Sequence, residues 1–381
     1  MTRLLLSAGE ASGDLHGAEL ARALQEQAPG IQLFGMGGTM MEAAGVEVLF
    51  NPTSLSTVGF AEALRTLPVF RRVLAVLGDC MDQRRPDGLV CIDFPGFNLR
   101  LAALAHSKGI PVMYYFSPSA WAWGRGRADR LARMGATILA VFPFEAEVYR
   151  QAGARVVFVG HPLLDRVRPS TGREEIREEL GVSPEQELIG LLPGSRRQEL
   201  DQLLEPMLAA ARIIAARRPS ARFVVPMAYT LRRAEVDPRV QTSGVPVTVV
   251  EGRTYDVLHA ADAAIIAMGT ATLEAALLGV PHVACYRVSA FTYWFVRRMV
   301  KVPYFAMPNI VLGSQAVPEV IQDQVTGENL ARELLALLEP GRRAAVREQL
   351  RQVRVRLGEG GAAARAAAAV LERVRPAVGA S

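Results

Sequence analysis

The sequence predicts an α/β protein made of two successive doubly wound halves, and three observations carry that prediction. Short continuous apolar runs alternate with helix-like stretches along the chain, as parallel strands buried on both faces require. The alternation breaks at a polar stretch over 166–184, which contains Pro169-Ser170-Thr171-Gly172, and then restarts. With 381 residues, half of them hydrophobic, the chain can bury two cores, at about 150 residues per domain. The expected division is 1–168, 169–357 and a C-terminal helix and tail over 358–381. Two such halves facing a central crevice suit a nucleotide, because doubly wound sheets bind ligands at the carboxyl ends of their strands.

Leu4-Leu5-Leu6 reads as the first strand, and the helix after Gly13 carries Leu15, Ala18, Leu20 and Ala21. Residues 89–92, 112–115, 138–141 and 156–159 are further strand candidates. A charged helix is expected around 174–179, within the connection between halves. The second series of strands is expected at 188–192, 223–225, 247–250, 263–267 and 283–286, and a last helix at 362–373. No repeat of 20–50 residues is evident.

Composition excludes several classes. Cys80, Cys91 and Cys285 are far apart and odd in number, which fits neither a disulfide framework nor a metal site and suggests a cytoplasmic compartment. The apolar run at the N-terminus is too short for a signal peptide, and no uncharged stretch of 18 residues predicts a membrane span. The net charge of +5, mostly from Arg, suits an anionic partner and equally a solvated surface. There is no Asp-x-Asp and no His cluster, so neither metal nor cofactor is expected.

Five segments could carry chemistry. Residues 7–17 (SAGEASGDLHG) run from a strand through a glycine-spaced turn into a helix, whose N-terminus offers amides to an anion. Gly9, Glu10, Ser12, Gly13, Asp14 and His16 are its candidates. The spacing is neither that of a P-loop nor that of a dinucleotide fingerprint, and a plain turn capped by Ser12 or Asp14 explains the residues as well. Asp93, where 89–92 ends, is placed to take a proton from a sugar hydroxyl or to cap the next helix. Ser117, Trp121 and Arg125, in SPSAWAWGRGR, combine a stacking surface with cations. Pro193-Gly194-Ser195-Arg196 puts a cation at a helix start, the wrong sign for the helix dipole unless an anion joins it. Finally, Gly269, Thr270, Ala271, Thr272 and Glu274 form a small-residue turn whose amides suit a diphosphate, with Glu274 able to accept from ribose hydroxyls. Stabilising a departing diphosphate and removing an acceptor proton are the two tasks these groups could share.

These blocks, with FPFEAEVY from Phe142, VGHPLLD from Val159 and MPNIVLG from Met307, resemble those of lipid-A-disaccharide synthases, in the same order from residue 7 to about 330. The resemblance implies a GT-B fold of two Rossmann-like domains and an inverting transfer. UDP-2,3-diacylglucosamine would be the donor and 2,3-diacylglucosamine 1-phosphate the acceptor, giving a β-1,6-linked disaccharide and UDP. It further implies Asp93 as catalytic base, Arg196 near the donor diphosphate, and Glu274 with the 269–272 loop at the nucleotide. Asn309 lies in a similarly placed motif. Met268 and Gly96 depart from the pattern, the latter where some members have a second Asp.

Acylated substrates give an amphipathic stripe over 58–81 a further meaning. Pro68 suits a first helical turn, and Phe70, Val73, Leu74, Leu77 and Met81 follow helical spacing beside Arg65, Arg71 and Arg72. Phe70, Leu74 and Leu77 are expected to touch the inner face of the cytoplasmic membrane peripherally, although the same face could pack on the first sheet. Alternatives are another UDP-sugar enzyme of this fold, including a 2-epimerase, or a basic membrane- or RNA-binding protein. No nucleic-acid motif supports the RNA reading.

Overall fold

The computed structural model describes every residue except 53–59, 121–125, 289–302 and 376–381, and every side chain except additionally those of 60–67. The chain divides into two compact units, residues 1–162 with 358–381, and residues 163–357.

The first unit is a parallel sheet wrapped by helices. Its strands are β1 (Arg3–Ala8), β2 (Gln32–Met36), β3 (Glu47–Phe50), β4 (Gly88–Ile92), β5 (Val112–Tyr115), β6 (Thr137–Ala140) and β7 (Arg155–Phe158). They lie in the order β3-β2-β1-β4-β5-β6-β7, and every pairing is parallel. The helices between them are α1 (Ala11–Gln27), α2 (Thr39–Ala43), α3 (Phe60–Arg84), α4 (Pro95–Ser107), α5 (Gly126–Arg133) and α6 (Pro143–Gln151). Side chains alternate along the strands, so the sheet divides two cores. Leu5, Cys91 and Tyr114 join Leu77 and Phe97 on one face, while Leu4, Leu6, Val90 and Ile92 join Leu20 and Leu24 on the other. β2 and β3 went unread in the sequence because each is short and mixes polar residues with apolar ones.

The stripe over 58–81 needs correction. Helix α3 starts before Pro68, which is an exposed interior residue of it. Leu77 is 1 % exposed and Val73 and Met81 are also core residues, so Leu77 cannot touch a membrane. Phe70 and Leu74 are half-buried against the same core, Phe70 packing on the rings of Phe94 and Phe97 at 5.3 and 5.6 Å. Packing of this face on the core of the sheet removes its apolar area from water. Arg71, Arg72, Ala75 and Val76 remain on the outside.

The second unit repeats the architecture with α7 (Leu163–Arg166), α8 (Arg173–Glu179), β8 (Leu188–Leu192), α9 (Arg197–Arg217), β9 (Arg222–Met227), α10 (Arg233–Gln241), β10 (Val247–Glu251), α11 (Thr254–Ala260), β11 (Ala263–Ala267), α12 (Thr270–Leu277), β12 (His282–Tyr286), α13 (Met307–Leu312), β13 (Glu319–Ile321), α14 (Gly327–Leu338) and α15 (Pro340–Arg356). Its strand order is β10-β9-β8-β11-β12-β13, again parallel. The stretch over 166–184, read as a connection, is built into this unit. Asp256 accepts from the Ser170 amide and hydroxyl and from the Thr171 amide. Arg177, 7 % exposed, donates to the carbonyls of Ser183, Gln186 and Ala260. The segment from 358 is no separate tail: α16 (Ala362–Val374) returns to the first unit, where Ala366, Ala367 and Val370 pack in the core beside Leu20, Ala21 and Leu24.

Candidate functional site

Each sheet reverses its strand order once, between β1 and β4 and between β8 and β11, and the turns that follow these strands carry many of the candidate residues. In the first unit, Ala8 pairs with Ile92, so the turns that follow β1 and β4 leave the sheet side by side. The Gly9–Gly13–Gly17 spacing belongs to this junction. A Cβ on Gly9 would lie 2.1 Å from the Phe94 ring, and one on Gly17 would lie 2.5 Å from Met41 Sδ. These glycines let α1 and its turn approach β4 and α2 closely.

Asp93 leaves β4 with φ +49, followed by Phe94 at φ +48, a left-handed pair costing roughly 1–2 kcal/mol per residue. Asn98, fully buried, holds that conformation. It accepts from the Ser7 hydroxyl at 2.6 Å and donates to the carbonyls of Ser7, Ile92 and Asp93. Tyr114 Oη donates to the Asp93 carbonyl at 2.8 Å. Asp93 therefore is no helix cap: α4 is capped at Phe94 without a side chain. Burial pushes the Asp93 carboxyl above its ordinary range, against a hydrogen bond donated by the Phe94 backbone amide and the charge of His16. His16 in turn stacks on Phe116 at 4.0 Å. The result is a half-buried carboxylate of raised basicity on a rigid, strained corner, as a general base needs.

A second carboxyl escaped the sequence reading. Glu145, 3 % exposed, accepts from the Ser117 hydroxyl at 2.6 Å and from the Val141 amide at 3.2 Å. Burial pushes it up to about 7, and the Asp93 charge adds to that. Its only signal was the acid in FPFE, which reads alone as a helix-start residue. Ser117 is thereby a buried anchor, and Tyr149 fixes the next residue by donating to the Pro118 carbonyl.

In the second unit Leu192 pairs with Ile266, and the turns after β8 and β11 flank a cleft of about 680 Å³. Ser195, Arg196, Gly269, Thr270, Ala271 and Glu274 line it, with Arg168, Tyr229, Arg253 and Tyr255, which the sequence did not suggest. Gly194 has φ +109, and a Cβ there would meet Glu199 Oε2 at 2.2 Å. That room lets Glu199 accept from the amides of Ser195 and Arg196 and pair with the Arg196 guanidinium at 3.1 Å. The cation at the start of α9 thus already has an anion. Its misfit with the dipole does not demand a ligand, although Arg196 stays largely exposed in the cleft wall. Glu274 accepts from Tyr255 Oη at 3.0 Å, and burial raises its pKa against that bond and the Arg166 charge. Among the described residues, no three His, Cys, Asp or Glu gather as a metal site.

The family described as lipid-A-disaccharide synthetase matches this chain over residues 4–374. The chain belongs to that family. It is 43% identical over 375 residues to the lipid-A-disaccharide synthase of Myxococcus xanthus, covering 98% of each chain. It is 42% identical over 371 residues to that of Geobacter sulfurreducens, covering 97% of each. Membership makes it a glycosyltransferase that forms the lipid A disaccharide. Solved structures share its GT-B fold. The UDP-GlcNAc 2-epimerase of Neisseria meningitidis gives a TM-score of 0.64 at 12% identity, covering 98% of this chain and 100% of that one. The calicheamicin glycosyltransferase gives 0.61 at 16%, covering 100% of both.

Besides Ser117, three more residues expected at substrates have structural duties. Asp14 is 4 % exposed and accepts from the amides of Gly38, Met40 and Met41, capping α2. Asn309 is fully buried; it donates to Val317 O and Glu319, and accepts from the Ala316 and Val317 amides. Thr272 is also fully buried, its hydroxyl donating to the Gly269 carbonyl at 2.7 Å to close the turn. Glu10 and Ser12 are exposed at the start of α1. Trp121 and Arg125 lie outside the described residues. At Gly96 a Cβ would meet nothing within 4 Å, so nothing steric bars a second acid there.

Proposed function

We propose that the chain transfers the sugar of UDP-2,3-diacylglucosamine, with inversion, to 2,3-diacylglucosamine 1-phosphate, releasing UDP. The observation that carries this reading is the cleft at the strand-order reversal of the second sheet, where the 194–196 and 269–274 turns meet around one space. The start of α12 and Arg196 would stabilise the diphosphate as it departs, and Glu274 would accept from ribose hydroxyls. Asp93 would take the proton of the attacking acceptor hydroxyl, with Glu10, Ser12 and His16 near the acceptor. No metal is required by this division of work.

Acylated substrates reside in membranes, and no helix among the described residues is long and apolar enough to cross one. The reading is therefore peripheral action at the inner face of the cytoplasmic membrane, with Arg71, Arg72 and Val76 as its contact and Phe70 and Leu74 at its edge. Incubating the purified chain with both acylated sugars and following disaccharide and UDP by mass spectrometry tests the proposal. Product and UDP in equal amounts are expected. Turnover of UDP-GlcNAc alone, without disaccharide, would overturn it.

A further inference from the structure

At the amino ends of β8 and β11, the edge of the second sheet opposite the cleft, arginines outnumber the acid that holds them. Asp262, just before β11, accepts from the Leu188 amide at 3.0 Å, Arg173 at 2.8 Å and Arg177 at 3.1 Å. Those donors engage both of its oxygens, one bond to Oδ1 and two to Oδ2. Arg343 on α15 comes no nearer than 4.0 Å. Arg347, one helical turn further on, has no hydrogen bond or ion pair to any described residue.

The helix itself makes this placement costly. Arg342 and Arg343 occupy the first turn of α15, which contains no acid, at the positive end of the helix dipole. Glu339, at the cap, is held by Arg218 at 2.8 Å. Arg343 and Arg347 are four residues apart, so their like charges face each other. Partial burial and the charges of Arg343 and Arg173 lower the Arg347 pKa, offset only by Asp262. Glu348 offers no relief, because both its oxygens are engaged by Arg351.

We propose that Arg343 and Arg347 bind a phosphate group, in a groove of about 480 Å³ along α15 that Pro340, Ala344, Glu348 and Arg351 also line. Two guanidinium forks one turn apart match the oxygens of a phosphate mono- or diester, and its charge relieves the repulsion that Asp262 only partly offsets. The site is separate from the nucleotide cleft, since β11 runs five residues between them, roughly 16 Å. A soluble phosphate ester and an anionic lipid headgroup present the same chemistry.

The test keeps the cleft filled with UDP and compares inorganic phosphate with chloride at equal ionic strength, reading Tm and binding heat. Phosphate should raise the Tm of the wild type and of Arg196→Ala alike, and bind at least about tenfold more weakly to the Arg343→Gln/Arg347→Gln double variant. Both side chains are solvent-facing and outside the catalytic machinery, so turnover in detergent should be unchanged. Should the double variant fold poorly, Arg347→Lys keeps the charge but loses the fork and should bind with intermediate strength. Vesicles of phosphatidylglycerol against phosphatidylcholine identify the source. Weaker retention of the double variant than of the wild type on phosphatidylglycerol assigns a lipid headgroup, and equal retention of the two assigns a soluble ester. Phosphate acting no differently from chloride, or acting equally on the double variant, would overturn the proposal.

Discussion

Tyr255, on α11, donates its hydroxyl hydrogen to Glu274, on α12, at 3.0 Å inside the cleft. The bond engages one carboxylate oxygen of Glu274, and the proposed function assigns the other to the ribose. Tyr255→Phe should therefore weaken UDP binding by about three- to tenfold, raise KM for the donor and leave kcat nearly unchanged. It should also reduce the preference for UDP over 2′-deoxy-UDP. If the wild type shows no such preference, Glu274 does not read the ribose; if Tyr255→Phe keeps it undiminished, Tyr255 does not aim Glu274.

Asp93→Asn should lower kcat by about 10²–10⁴-fold while folding normally, since Asn98 and Tyr114 hold the backbone carbonyl, not the carboxylate. Because burial raises the carboxyl pKa, the wild-type rate should climb with pH along a limb above the ordinary carboxylate range, and the variant should lack that limb. The sign for stability is opposite. A folded pKa above the unfolded one penalises the native state once the group ionises, so the variant should be slightly more stable at neutral pH. Near wild-type turnover would move the base elsewhere.

Arg196→Ala should cost about tenfold in UDP affinity and more in rate, through loss of a charge-assisted contact. Glu199 still accepts the amides at the start of α9, so the melting temperature should hardly move. Unchanged affinity by calorimetry would return Arg196 to the ordinary surface.

His282 reports on acid stability. It is fully buried, its Nδ1 hydrogen bonds to the Val280 carbonyl at 2.9 Å, and burial lowers its pKa to about 4. The unfolded chain protonates near the ordinary value while the native state resists. Stability is thus full above about pH 6.5 and falls as pH drops towards 4, by on the order of 3 kcal/mol. Urea titrations should show this slope in the wild type and a shallower one in His282→Asn. Equal slopes would assign the acid sensitivity to other groups.

On α3 the inner and outer faces should separate cleanly. Leu77→Ser, in the core, should destabilise the fold by about 2–5 kcal/mol. Arg71→Gln/Arg72→Gln/Val76→Ser, on the outside, should fold and lose binding to anionic vesicles at low salt. Flotation with the purified variants decides this, and unaltered binding by the triple variant would remove α3 from the membrane contact.

Ten of the strands were readable because a continuous apolar run marks them, as in Leu89–Ile92 or Ala263–Ala267, whereas β2, β3 and β13 were not; the position of Asp93 follows from where such a run stops. Side-chain direction was not readable. Asp14 and Asn309 sit in the same motifs as candidate ligands, yet tertiary contacts aim them inward at amides. In the same way, Arg173 and Arg177 fall in a stretch polar enough to pass for a connector, and only Asp262, far along the chain, reveals them as fasteners. Glu199 resolves the charge conflict at Arg196 from one turn away, through a pairing that the LLPGSRRQEL block contains but does not display as a contact.

The return of α16 to the first unit sets an order of events during synthesis. The surface formed by Leu20, Ala21 and Leu24 leaves the ribosome early, but its cover arrives only after all 195 residues of 163–357 have been made. At the usual pace of translation that delay is about 10–40 s, long compared with the collapse of a chain this size. The nascent first unit must wait with an apolar face bare while the second completes itself. Chaperone dependence of the newborn chain should accordingly end only when residues 362–374 emerge.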